Sequence, residues 1–130
     1  MPYLQLDLPL AVAPGDRPAL ATGLSRLYAE VMETDMERVT VAFRELGENG
    51  VLRTGPRGVE PAVVLHCDIR GGRPAEARAR LGDRVAALLE EALGWPRERV
   101  ILEFTQHAGD EIYRDGRLAE DWTPAEAGGA

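Results

Sequence analysis

Lysine is absent: all 15 basic side chains among the 130 residues are arginine. Side-chain amine chemistry is thereby excluded, and removal of Met1 would leave the secondary amine of Pro2 as the only amine. Cysteine is scarce too, and a single thiol, Cys67, excludes an intramolecular disulfide. Cys67 closes the apolar run Ala62, Val63, Val64, Leu65, His66, so a small buried hydrophobe is expected there, in a reducing, cytoplasmic setting. No stretch approaches the ~20 apolar residues of a spanning helix, and no basic segment leads into an apolar run at the amino terminus. Basic charge is outnumbered, 15 against 22 acidic residues for a net charge of −7, whereas phosphate backbones and anionic lipid demand clustered positive charge. Neither nucleic acid nor membrane is expected as a partner. The two histidines, His66 and His107, stand at no metal-ligand spacing, and there is no Gly-rich phosphate loop, Ser-His-Asp order or CxxC. No metal and no cofactor are expected.

What remains is ordinary globular composition, 45% hydrophobic and 28% charged, at a length that fits one domain. That domain is expected to span residues 1–122, with 123–130 a flexible tail of small and polar residues. Leu4, Leu6 and Leu8 alternate as in a half-buried strand, and Leu20, Leu24, Leu27, Tyr28 and Val31 then step by threes and fours along one helical face. Val39, Val41 and Phe43 return to period two. The same order follows again: the run Ala62 to Ile69, a helix with Leu81, Val85, Leu88, Leu89 and Ala92, and a strand with Val100, Leu102 and Phe104. Asp16 is expected to cap the first helix, Pro74 to open the second, and Gly94 with Pro96 to end it.

The two halves superpose at one offset, since 85 − 24 = 61 and 100 − 39 = 61, and Glu37-Arg38-Val39 becomes Glu98-Arg99-Val100. Tandem β-α-β units are therefore expected, about 2–45 and 62–105, each a right-handed crossover with parallel strands. The predicted fold is α+β: a pseudo-twofold, four-stranded mixed sheet with two helices on one face. Residues 46–60 read as a Gly-rich hairpin or loop. The other sheet face then lacks a cover, and symmetric self-association is the natural remedy.

Pro2 aligns with Val63, so one reactive centre per chain is expected. An α-amino group titrates near ~8, and burial lowers that value by disfavouring the cation; the structural alternative is that the start of a strand tolerates proline. The second copy offers Arg70-Gly71-Gly72-Arg73-Pro74, two guanidinium forks beside a helix start. Such forks bind carboxylate, although a solvated turn is the simpler reading of that segment alone.

Pro2 opening a strand, tandem β-α-β units and the Arg-x-x-Arg turn together resemble the tautomerase superfamily, which uses an amino-terminal proline. The fused units and Arg70-Gly71-Gly72-Arg73 most resemble its cis-3-chloroacrylic acid dehalogenase and malonate semialdehyde decarboxylase groups. The resemblance implies a homotrimer whose sites contain Pro2, with Arg70 and Arg73 holding a substrate carboxylate. Departures narrow the activity. In Tyr113-Arg114-Asp115-Gly116-Arg117, Arg114 stands where the dehalogenase has its water-activating glutamate. Tyr28 or a neighbour replaces a histidine, Glu103 replaces a tyrosine, and Glu37 only approximates the decarboxylase aspartate. Tyr28, at the edge of its helix's apolar stripe, and Glu103, either exposed or deliberately placed on its strand, complete the candidate substrate contacts. Trp122 is expected to anchor the tail rather than touch substrate.

The favoured expectation is keto-enol tautomerisation of a small 2-oxo, enol or unsaturated carboxylate with Pro2 as general acid/base. A hydratase, dehalogenase or decarboxylase with protonated Pro2, and a non-catalytic trimeric binding protein, are the alternatives.

Overall fold

Two hydrophobic periods, two and 3.6, alternate along the chain and fold as two successive crossovers. In the computed structural model, which describes residues 2–128, β1 (Tyr3–Leu8) leads through α1 (Arg17–Met32) and a 3-10 turn (Met36–Arg38) into β2 (Thr40–Glu45). A hairpin of β3 (Leu52–Gly55) and β4 (Gly58–Pro61) links this unit to β5 (Val63–Arg70), α2 (Ala75–Leu93), a second 3-10 turn (Arg97–Arg99) and β6 (Val100–His107). A shorter hairpin, β7 (Tyr113–Arg114) and β8 (Arg117–Leu118), and the one-turn helix α3 (Ala125–Gly128) follow. The segment expected to be a flexible tail thus carries a helical turn, and its last two residues lie outside the described ones.

The central sheet runs β2-β1-β5-β6, parallel within each unit and antiparallel at the β1–β5 seam. It is the mixed four-stranded α+β sheet that the duplicated pattern predicts. The duplication holds in the register: Tyr3 lies beside Thr40 and Val64 beside Ile101, the same step in both units (40 − 3 = 101 − 64 = 37). At the seam, Gln5 faces His66, its own repeat 61 positions on, which puts the pseudo-twofold axis at that pair.

The repeat also takes in the hairpins, which hydrophobic periodicity alone does not reveal. Arg53 and Gly55 recur as Arg114 and Gly116 at the 61-residue offset. The Gly50 amide donates to the Gly47 carbonyl (2.9 Å), and the Glu111 amide donates likewise to Ala108 (3.1 Å). Arg53 Nη1 reaches the Glu98 carbonyl (2.9 Å), and Arg114 Nη2 reaches the Glu37 carbonyl (3.2 Å). Each hairpin therefore straps the strand start of the opposite unit.

Leu4, Leu6 and Leu8 of β1 and Val63, Leu65, Cys67 and Ile69 of β5 point to one face and are buried under Leu20, Leu24, Leu27, Tyr28 and Val31 of α1 and Leu81, Val85 and Leu89 of α2. Each such side chain contributes about 1.5–3 kcal/mol by leaving water. Helix ends differ in part from expectation. Asp16 makes no side-chain cap; Pro18 in the first turn supplies the pre-set backbone instead, while α2 stops at Gly94 as its sequence predicts. The opposite sheet face is polar. Asp7 there accepts from Gln5 (3.3 Å) and lies 3.3 Å from His66 Nε2 and 3.4 Å from Arg44 Nε, and no described helix packs over it.

Cys67 is fully enclosed, and burial, reinforced by Asp68, pushes its thiol up to about 12. The native protein is therefore expected to resist iodoacetamide at pH 8 and to react at once when unfolded in urea. Mass spectrometry reads the outcome, and rapid native alkylation would contradict this packing.

Candidate active site at the proline end of the sheet

Three chain segments meet at one end of the sheet: the start of β1, the start of β2 and the end of β5. The Pro2 carbonyl accepts from the Thr40 amide (3.1 Å), and Tyr3 faces Asp68 across the seam, which brings Pro2 alongside Ile69 and next to Arg70. Pro2 is buried in this arrangement. Met1, on whose removal a free amine depends, lies outside the described residues.

Arg70 ends β5 with its side chain 2% exposed. Its Nη1 donates to the Glu120 carbonyl (2.8 Å), and its Nη2 donates to both carboxylate oxygens of Glu126 on α3 (2.7 and 2.6 Å). The Thr34 hydroxyl donates to the same carboxylate, and Arg38 Nη1 lies 3.7 Å from it. Burial raises the Glu126 pKa, but the hydrogen bonds from Arg70 and Thr34 outweigh it, and the carboxyl is held below its usual range.

Arg73 behaves differently from its neighbour three residues back. Its Nε donates to the Met32 carbonyl at the end of α1 (2.7 Å) and its Nη1 to the Arg70 carbonyl (3.4 Å). Its guanidinium stacks on Trp122 (4.8 Å) and stands 6.0 Å from the Tyr28 ring. Burial pulls the Arg73 pKa down, with Tyr28 opposing. Among the described residues, only Arg70 of the pair holds a carboxylate, while Arg73 ties α1 to the β5–α2 turn. Gly72 in that turn has φ +116°, and a Cβ there would come within 3.1 Å of the Trp122 carbonyl, so glycine is required for the close approach. Trp122 anchors its segment on this chain, its indole donating to the Glu33 carbonyl (3.0 Å).

Tyr28 is fully buried, and its hydroxyl has no hydrogen-bond partner among the described residues. Burial drives the phenol pKa well up, with the Arg73 charge opposing. Glu103 is not brought to this end of the chain: it is exposed in mid-β6, beside His66, on the polar sheet face. Arg114 donates to the carbonyls of Arg38 (2.6 Å) and Glu37 (3.2 Å), so it fixes the start of β2, and the Glu37 side chain is exposed close by. Thr34, Arg38 and Glu126 were missed by sequence reasoning. Arg38 alone left a signal, as the arginine of the repeated Glu-Arg-Val.

The pseudo-equivalent end of the sheet lacks this chemistry. There Val63, Pro9 and Val12 stand in the positions of Pro2, Arg70 and Arg73, and Arg99, the counterpart of Arg38, lies 3.5 Å from the buried Glu60 of β4. Open clefts lie elsewhere as well. One runs between the helices beside Glu30, Arg80 and Asp83, and another beside the first hairpin at Arg53, Arg57 and Glu98.

No protein-family model matches the chain, and no curated protein matches its sequence. Solved structures match its fold. N1, a member of the cis-3-chloroacrylic acid dehalogenase family, superposes with a TM-score of 0.80 at 22% identity over 92% of this chain and 84% of its own. FG41 malonate semialdehyde decarboxylase inhibited by 3-bromopropiolate gives 0.74 at 16% identity, over 85% and 87%. A fused 4-OT solved as an asymmetric trimer gives 0.77 at 17% identity, over 90% and 95%. With its strand order and paired crossovers, the chain has the fold of the tautomerase superfamily.

Proposed function

We propose that the protein is a tautomerase acting on a small 2-oxo, enol or unsaturated carboxylate. The neutral amine of Pro2, freed by removal of Met1, takes a proton from C3 of a 2-oxo acid as the C3–H electron pair forms the C2–C3 double bond and the carbonyl becomes an enolate. The protonated amine then returns its proton to the enolate oxygen, and the amine is neutral again. Arg70 holds the substrate carboxylate, and its charge favours the developing enolate by a few kcal/mol (~3). Arg73 and Tyr28 form the wall behind it. The observation that carries this reading is the hold of Arg70 on a carboxylate at the sheet end that Pro2 begins.

Self-association as a homotrimer belongs to the same reading. Leu52 and Val59 on the first hairpin and Tyr113 and Leu118 on the second are exposed apolar side chains in two pseudo-equivalent places, suited to contacts with neighbouring copies. Glu103, on the uncovered sheet face, would then meet a neighbouring copy. The fused 4-OT of the same fold forms a trimer. A single enclosed thiol agrees with a cytoplasmic setting. Hydrolytic dehalogenation draws no support, because Arg114 is engaged with backbone carbonyls where a water-activating carboxylate would be needed.

The test is C3 hydrogen–deuterium exchange of 2-oxobutanoate in D₂O, followed by proton NMR, on protein whose mass shows Met1 removed. Exchange is expected to fall about 10²–10⁴-fold in Pro2→Ala. It is also expected to fall as pH drops below the amine pKa, near ~8 or lower. Equal exchange by Pro2→Ala, or by protein that retains Met1, overturns the proposal, and tight 2-oxobutanoate binding without exchange would make the protein a binding module.

A further inference from the structure

Glu126 presents its carboxylate to Arg70, Thr34 and Arg38, a donor set drawn from the end of β5 and from the link between α1 and β2. We propose that Glu126 is a built-in occupant of the substrate-carboxylate site, and that a small carboxylate binds by displacing it from Arg70, Thr34 and Arg38. The inference rests on the reading of Arg70 as the carboxylate anchor and adds two ligands and an internal competitor to it.

A buried guanidinium without an anion is costly, because its desolvation is then uncompensated. With its side chain 2% exposed, Arg70 needs a negative partner in this arrangement. Glu126 meets that need and donates nothing to the site, so it reproduces what a substrate carboxylate would offer. Its mounting is light. Glu126 sits on a four-residue helix, and among the described residues its amide is tied to the preceding chain by a bond to the Thr123 carbonyl (3.0 Å). One helical turn has little stability of its own. Upstream, the chain is pinned by Trp122 on Glu33 and by Asp121 on the Gly109 amide (2.7 Å), so residues 123–128 can lift without undoing the rest.

The other end of the pseudo-twofold supplies the contrast. Arg99, the counterpart of Arg38, faces Glu60, which also has Arg53 and Arg57 at 3.7 Å and stands within a paired strand of the first hairpin. Where Val63 replaces Pro2, the carboxylate is built into a strand. Where Pro2 is present, it hangs on a removable turn.

The test is calorimetric titration of the full chain with malonate, with malonamide as the neutral control. Glu126→Gln keeps the shape of the occupant but removes its charge, and Glu126→Ala removes it altogether. Either is expected to bind malonate about tenfold tighter than wild type or better, since a competitor that occupies the site lowers apparent affinity by the free fraction. Thr34→Val or Arg38→Met on the Glu126→Gln background is expected to abolish that gain, and malonamide should show none. Unchanged malonate affinity in well-folded Glu126→Gln overturns the inference, as does an equal gain for malonamide. Tighter malonate binding with no C3 exchange of 2-oxobutanoate supports the internal occupant and removes the tautomerase reading. Lost exchange with unchanged malonate affinity overturns the internal occupant and makes Glu126 a catalytic group.

Discussion

Arg70→Met is expected to reduce C3 exchange of 2-oxobutanoate by about 10²–10³-fold, the scale on which removing a charge-stabilising donor slows an enzyme. Among the described residues, its guanidinium alone grips a carboxylate with two short contacts at the Pro2 end of the sheet. Methionine keeps most of the volume and loses the charge together with every donor. Because the carboxylate contact is made in ground and transition states alike while the charge also meets the enolate, both KM and kcat should worsen. Folding should suffer less, since Glu126 can turn to water once its partner is gone and the bond to the Glu120 carbonyl is the main structural loss. Comparison of exchange rates with a urea titration reads the two effects separately. Near-wild-type exchange by a folded Arg70→Met protein would remove Arg70 from the reaction.

Arg73→Met should give the reverse pattern, with stability lowered by about 2–4 kcal/mol, or roughly 10 °C in Tm. Two buried carbonyls, Met32 and Arg70, lose their donor, and each unsatisfied group costs about 1–3 kcal/mol. The stacking on Trp122 is lost as well, worth roughly 1–2 kcal/mol for a desolvated cation. Relief from burying a charge offsets part of this, which keeps the total below the simple sum. Thermal denaturation followed by circular dichroism measures it. A loss below about 1 kcal/mol, near the ordinary effect of a point mutation, would show that Arg73 is not the tie between α1 and the β5–α2 turn. Two arginines three residues apart in the sequence thus divide into an anion anchor and a structural strut, and the difference lies in what each meets through space.

How much was legible in advance follows from the range of the interactions concerned. Leu4, Leu6 and Leu8 and the stripe from Leu20 to Val31 declare strand and helix locally, through period alone, and the constant offset from Leu24 to Val85 and from Val39 to Val100 declares the repeat. The first hairpin shows in its Gly-rich run, whereas the second gave no such signal, because Tyr113 and Leu118 are exposed and only Arg53 and Gly55 recur identically at the offset. Glu126 was illegible for another reason. Nothing within a few residues distinguishes it from the other acidic residues, and its partner Arg70 is 56 positions away. Tyr28 shows the limit of pattern from the other side: its place on the apolar stripe implied a hydroxyl at the surface, yet the ring is wholly enclosed and that hydroxyl has no partner among the described residues.

The crossed arginine straps have a bearing on how such a molecule can be taken apart. Arg53 finishes the second unit at Glu98, and Arg114 finishes the first at Glu37 and Arg38. Each half's second strand thus begins against an arginine lent by the opposite hairpin, so separating the halves at the seam forfeits both straps together.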